Sequence, residues 1–164
     1  EMAIRSALTG HLVFSTLHTN DSAGTITRLV NMGIEPFLVS SSLNLSAAQR
    51  LVRRICPQCK ESYRPNKVTL ESLGLPKNKD TVFHRGKGCS MCRGTGYFGR
   101  LALCEMLEMT QAIRNLVLNG ADGDTIRQAA IELGMVTLRQ NGIQKVVDGV
   151  TTIEEVMRAT MEDD

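Results

Sequence analysis

Cys56-Pro-Gln-Cys59 and Cys89-Ser-Met-Cys92 are two C-x-x-C pairs with 29 residues between them. Each pair turns two sulfurs toward one point. Two pairs at this spacing supply the four thiolates of a tetrahedral shell for a soft divalent ion, usually zinc. Four protein ligands leave no open position, so the role of such a site is structural. Iron in a rubredoxin-like shell would use the same ligands. Two other chemistries compete. A C-P-x-C pair can be a thioredoxin-like redox pair, but that needs a helix N-terminus after a strand and leaves the second pair unexplained. Disulfide pairing is the other. The odd count of five cysteines and the absence of a secretory signal argue for reduced thiols. Cys104 lies in the apolar run 101–107 and reads as a small buried residue.

His18 is the second focus. It follows the apolar run His-Leu-Val-Phe-Ser-Thr-Leu at 11–17 and is flanked by Thr16, Thr19, Asn20 and Asp21. In α/β sheets ligands bind outside the carboxyl ends of strands, so a polar cluster there could touch a phosphate or orient a water. The plainer reading is a loop histidine with a capping role. His11 reads as the start of the strand, and His84 lies in the basic loop. Other chemistry is missing. There is no G-x-x-x-x-G-K-[ST] phosphate loop, no G-x-S-x-G and no H-E-x-x-H.

The elements that would position these residues fall into three regions. Residues 1–10 read as the end of a helix stopped by Gly10, and 11–17 as a buried parallel strand. Thr19 or Asp21 caps a helix over about 22–32, and Glu35-Pro36 opens another to about Val52. One parallel strand makes no sheet alone, so its sheet partners, and with them a longer protein, are expected outside these residues. The middle, 53–107, is the metal module, with little regular structure between the knuckles and strands of a hairpin or meander over 97–107. From 109 to 164 apolar residues recur at helical spacing (Ile113, Leu116, Val117; Ile126, Ala129, Ala130, Leu133; Ile143, Val146, Val147). Gly120, Gly134 and Gly149 punctuate these helices, and Thr152-Ile-Glu-Glu155 is a capping box for the last one. Just after the second knuckle, C-x-x-C-x-G-x-G lets the backbone turn back and offer N–H groups to the sulfurs. That short string resembles one repeat of a heat-shock chaperone zinc domain, a family that carries several.

With 164 residues, 42% hydrophobic and 22% charged, the chain has an ordinary globular balance, which excludes disordered and fibrous classes. Its net charge of +2 hides a division. Residues 50–100 hold 12 Lys and Arg against 3 Asp and Glu, whereas 101–164 hold 5 against 11. The basic block is either a solvated face or a surface for an acidic partner or anionic membrane. Nucleic acid is not expected, because no aromatic residues interleave the basic ones for stacking.

The stretch Ala3–Arg54 contains Ala-Leu-Thr-Gly-His-Leu-Val-Phe-Ser-Thr-Leu-His-Thr-Asn-Asp and Thr-Arg-Leu-Val-Asn-Met-Gly-Ile-Glu-Pro-Phe-Leu. With Ala-Gln-Arg-Leu-Val-Arg-Arg-Ile-Cys-Pro-Gln-Cys, Thr-Gly-Tyr-Phe-Gly-Arg and Asp-Gly-Val-Thr-Thr-Ile-Glu-Glu-Val, it closely resembles the ATPases of bacterial type II secretion and type IV pilus assembly. The likeness keeps the family's order along essentially the whole chain. The family's His box falls on Thr16–Asp21, centred on His18, and its tetracysteine motif on Cys56, Cys59, Cys89 and Cys92. Pilus-retraction ATPases look similar in the His box but lack the four cysteines, so the resemblance is to the assembly type.

The resemblance implies an α/β fold: the C-terminal part of a RecA-like P-loop ATPase domain over 1–52, a four-cysteine zinc module over 53–107 and a helical C-terminal subdomain over 108–164. It implies catalytic or nucleotide-sensing roles for His18, Thr16 and Thr19, and structural zinc on the four cysteines. ATP and magnesium would bind the full-length parent, whose Walker A, Asp box and Walker B are expected upstream of Glu1. The parent would be a cytoplasmic hexamer, peripheral at the inner membrane, working with secretion or pilus platform proteins. The alternative is a non-catalytic, zinc-stabilised interaction module.

Overall fold

The structure is a computed structural model that describes residues 2–74 and 82–161. Lys77, Lys79 and Asp80 of the basic stretch, and the acidic residues 162–164, lie outside the described residues. The chain order is α1 (Met2–Leu8), α2 (Ser22–Asn31), α3 (Pro36–Ser42), β1 (Leu45–Ile55), β2 (Lys60–Tyr63), α4 (Lys67–Ser72), β3 (Phe83–Gly86), β4 (Tyr97–Glu108), α5 (Gln111–Leu118), α6 (Gly123–Glu132), α7 (Leu138–Val147) and α8 (Ile153–Thr160). The expected α/β class holds. The strands form two two-stranded sheets, β1 with β4 and β2 with β3. The chain divides into two units, each drawn from two stretches: Glu1–Gln49 with Cys104–Thr137, and Arg50–Leu103 with Leu138–Asp164. Among the described residues no helix is long and apolar enough to cross a membrane.

In the first unit the core is Ala23, Ile26, Val39, Leu107, Met109, Ile113, Val117, Ile126 and Ala130, from α2, α3, α5, α6 and the end of β4. The apolar spacing read for the tail places Ile113, Val117, Ile126 and Ala130 inside, as expected. Two expectations fail here. Residues 11–17 form no strand, and Leu12 and Phe14 are 80% and 87% exposed. A parallel strand takes all its backbone bonds from neighbours, and neither sheet among the described residues offers it one. His11 therefore starts no strand; its Nδ1 lies 3.1 Å from Thr9 Oγ1. The helix expected over 35–52 ends at Ser42, and β1 takes its place. The hydroxyls of Ser40, Ser41 and Ser42 bond back to the carbonyls of Phe37, Phe37 and Leu38, a local competition that weakens a helix end. From Leu45 onward exposure alternates with period two, and pairing with β4 outweighs the helical reading.

β1 and β4 run antiparallel: Met109 N–H donates to Asn44 O, and Cys56 N–H to Gly96 O. Arg53 and Arg54, consecutive and both exposed, break the alternation of β1.

The second unit buries Val52, Ile55, Phe83, Leu103, Leu138, Val146 and Val156. Its metal module is more regular than expected. β2 and β3 pair antiparallel with Ser62 opposite His84 and Tyr63 opposite Phe83, so His84 lies on a strand. In the tail, α7 and α8 pack where Gly142 leaves room for Val156; a Cβ at Gly142 would stand 2.5 Å from Val156 Cγ1.

The capping box at Thr152 is half present. Thr152 Oγ1 accepts from Glu155 N–H at 3.5 Å, but the Glu155 carboxylate turns to other donors. It accepts from Arg53 N–H at 2.9 Å, from Arg53 Nη2 at 2.7 Å and from Arg158 Nη2 at 2.9 Å. Burial alone would raise its pKa; these donors outweigh burial and bring it down to about 2. A depressed carboxyl stabilises the fold above its unfolded pKa, and that contribution disappears as pH falls through the folded value. The window is from pH 4.5 down to about 2. The arginines are 48% and 66% exposed, so solvent screens them. Glu155→Gln is expected to cost about 1–2 kcal/mol above the window. In thermal melts across the window, the difference from wild type should close toward its acid end.

Candidate functional site

The four cysteines converge. Cys56 and Cys59 sit on the turn between β1 and β2, and Cys89 and Cys92 on the turns between β3 and β4. Their sulfurs all lie within 4.8 Å of one another, and all four are free thiols. The separations are 3.8 Å for Cys56–Cys89, 3.8 Å for Cys59–Cys92 and 3.7 Å for Cys89–Cys92. A tetrahedron with metal–sulfur bonds of about 2.3 Å has edges of about 3.8 Å, which these three separations match.

The backbone completes the cradle. Cys89 N–H and Gly96 N–H each donate to Cys92 Sγ at 3.2 Å, and Gly96 is the glycine after the knuckle that supplies the N–H expected there. Gly96 and Gly86 approach so closely that a Cβ on either would meet the other's carbonyl oxygen at 2.3 Å or less, so no side chain fits there. Burial pushes the Cys59 thiol up to about 12, against the donation it receives from Gly88. For Cys92, burial is outweighed by the N–H groups of Cys89 and Gly96, which bring it down to about 6. Four thiolates this close repel one another, and a divalent cation is the charge that lets all of them ionise. The redox-pair reading fails on geometry, because Cys59 leads into β2 and no helix begins there. Cys104 is half-buried on β4 rather than fully inside.

The histidine turn lies in the first unit. His18 and Thr16 are exposed, Thr19 is half-buried, and Thr19 Oγ1 lies 2.9 Å from Thr25 Oγ1. Among the described residues His18 has no hydrogen bond or ion pair. Asp21, rather than Thr19, is the N-cap of α2, and its side chain accepts from Gly24 N–H at 2.6 Å. The structure thus gathers the cysteines into one site and keeps Thr16, His18 and Thr19 as a solvent-facing turn held at its α2 end.

Sequence reasoning missed Glu105. It is 1% exposed, and its Oε1 accepts from Ser22 N–H at 3.0 Å and Ser22 Oγ at 2.5 Å. The signal was parity. Leu103, Glu105 and Leu107 alternate on one face of β4, and the two leucines are buried, so the glutamate between them points inward.

An α/β chain with a buried tetracysteine cradle and a histidine turn before a helix is the class of protein these observations define. Residues 1–158 match the family model described as "Type II/IV secretion system protein", and the chain belongs to that family. It is 48% identical to the type IV pilus assembly ATPase PilB of Myxococcus xanthus, over 99% of this chain and 29% of that protein. It is 45% identical to the type II secretion system protein E of Pseudomonas aeruginosa, over 99% of this chain and 32% of that protein. The chain therefore spans less than a third of the length of these relatives. Its fold also matches the crystal structure of the pilus retraction motor PilT with bound ADP. That match has a TM-score of 0.63 and 25% identity, covering 99% of this chain and 36% of the motor.

Proposed function

We propose that this chain is the histidine-turn and metal-module portion of a RecA-like motor ATPase, a hexamer that couples ATP hydrolysis to assembly of a pilus or pseudopilus. The observation that carries this reading is the match along nearly the whole chain, in sequence to proteins named for pilus assembly and type II secretion and in fold to a pilus motor with bound ADP. In this reading the chain comprises part of the ATPase core over 1–52, the metal module over 53–107 and a helical subdomain over 108–164.

Cys56, Cys59, Cys89 and Cys92 would hold one zinc ion. A bound zinc supplies cross-linking of the two knuckles and no reaction chemistry, since all four positions are filled by protein. Thr16, His18 and Thr19 would face the nucleotide. ATP and magnesium need a phosphate cradle and an acidic magnesium ligand, which the remainder of the longer protein would supply. The motor would work in the cytoplasm against the inner membrane, with platform proteins as partners and no nucleic acid.

The test compares the longer protein with this chain. The longer protein is expected to hydrolyse ATP with magnesium and to sediment as a hexamer, and the 164-residue chain alone to show no turnover. A longer protein that is monomeric and inactive would favour the zinc-stabilised interaction module instead.

A further inference from the structure

A buried polar network in the first unit surrounds the residue that follows the histidine turn. Ser22, the first residue of α2, is held at every polar atom. Its N–H and Oγ donate to Glu105 Oε1 at 3.0 and 2.5 Å, and its carbonyl accepts from Ser46 Oγ at 2.9 Å. Ser22, Ser46 and Glu105 are 0%, 4% and 1% exposed. Ser46 comes from β1 and Glu105 from β4, so both strands grip the start of one helix.

Filling that space with apolar side chains would avoid the cost of burying a carboxyl and two hydroxyls. A satisfied polar network instead specifies one orientation, because each partner must stay in hydrogen-bond reach. What it orients is the exit of the turn. Asp21 caps α2 just ahead of Ser22, and Thr19 is tied to Thr25. The entrance, residues 11–17, is irregular and exposed. The place of His18 within the unit is therefore set from its α2 side.

We infer that Glu105, acting through Ser22 together with Ser46, is the positioning residue of the Thr16–Asp21 turn and holds His18 in one geometry toward nucleotide. This rests on the reading of that turn as the nucleotide contact. None of the three touches nucleotide itself; the grip acts through the backbone of Ser22. Misplacing a positioned group by about 1 Å costs up to 10²-fold in rate, so loss of part of the grip lowers kcat without removing a binding contact.

The test is a mutant cycle on ATP turnover by the longer protein. Glu105→Met is expected to lower kcat about tenfold with KM within about twofold, and Ser46→Ala, which removes one bond and little volume, about threefold. In a His18→Ala background both changes should alter kcat by less than about twofold, because the group they position is gone. A purely structural role predicts the same fold-loss in both backgrounds, and that result overturns the inference. So does wild-type kcat in both variants. If Glu105→Met does not fold, Ser46→Ala decides alone. If His18→Ala leaves turnover unchanged, the nucleotide reading fails and positioning falls with it. If His18→Ala slows turnover and Ser46→Ala acts equally in both backgrounds, only positioning falls.

Discussion

Protein purified without chelator is expected to carry one zinc ion per chain, and Cys56→Ser or Cys89→Ser to lose it together with the ordered structure of the metal module. The expected effect is large because the ion would link both knuckles at their centre. The knuckles enclose a core made of Cys56, Cys59 and Cys92 with Cys89 packed against it. Around it run the backbone bonds Lys87 N–H to Cys59 O, Arg93 N–H to Ser90 O, Gly94 N–H to Cys89 O, Thr95 N–H to Cys92 O and Cys56 N–H to Gly96 O. Structural zinc contributes about 10–16 kcal/mol in zinc-finger peptides at neutral pH, as large as the whole stability of many domains. Without the ion, thiolates this close repel one another, so the cradle relaxes. Hydrogen exchange should show lost protection at 55–63 and 83–97, while the amides of α2, α5 and α6, whose core is separate, stay protected. Metal analysis finding iron would change the ion and keep the site. No metal, with protection unchanged in both serine variants, would remove the structural role altogether.

The cysteine site was legible because its information is local: each pair is one turn, and the pair spacing states the chemistry. The tail helices were legible for a similar reason, since Ile113 with Val117 and Ile126 with Ala130 repeat at the helical period and are buried as that period demands. Residues 11–17 have strand composition, yet a strand is a relation between segments. With no partner strand among the described residues, His-Leu-Val-Phe-Ser-Thr-Leu stays irregular and largely exposed. The β1 error has another origin. Leu38 and Leu45, seven apart, fit one helical face, and only pairing with β4, some fifty residues on, decides for a strand from Leu45. Glu105 was hidden because the strand reading over 97–107 was not carried through to which face each residue takes. Glu155 was read as a capping residue, but Arg53 at long range competes for its carboxylate and wins it.

On the proposed motor reading, His18→Ala in the longer protein is expected to lower ATP turnover about 100-fold or more while ATP binding is largely kept. Three observations motivate this. His18 is exposed and, among the described residues, unbonded, so its imidazole is available to a ligand. Thr16 beside it is exposed as well, which adds a hydroxyl to the same surface. The turn is anchored at its far end, through Asp21 on Gly24 and Ser22 on Glu105, so these groups are held in place rather than loose. An imidazole so placed can donate to a terminal phosphate oxygen or hold the attacking water, and either bond is lost once that phosphate leaves. An interaction stronger in the transition state than in the ground state lowers kcat when removed and leaves KM nearly unchanged. That split separates the nucleotide role from a fold role, which would lower the amount of active protein without changing the kinetics of what remains. Turnover within error of wild type in a folded, hexameric His18→Ala protein would leave the histidine as a loop residue, with the function of the turn confined to starting α2.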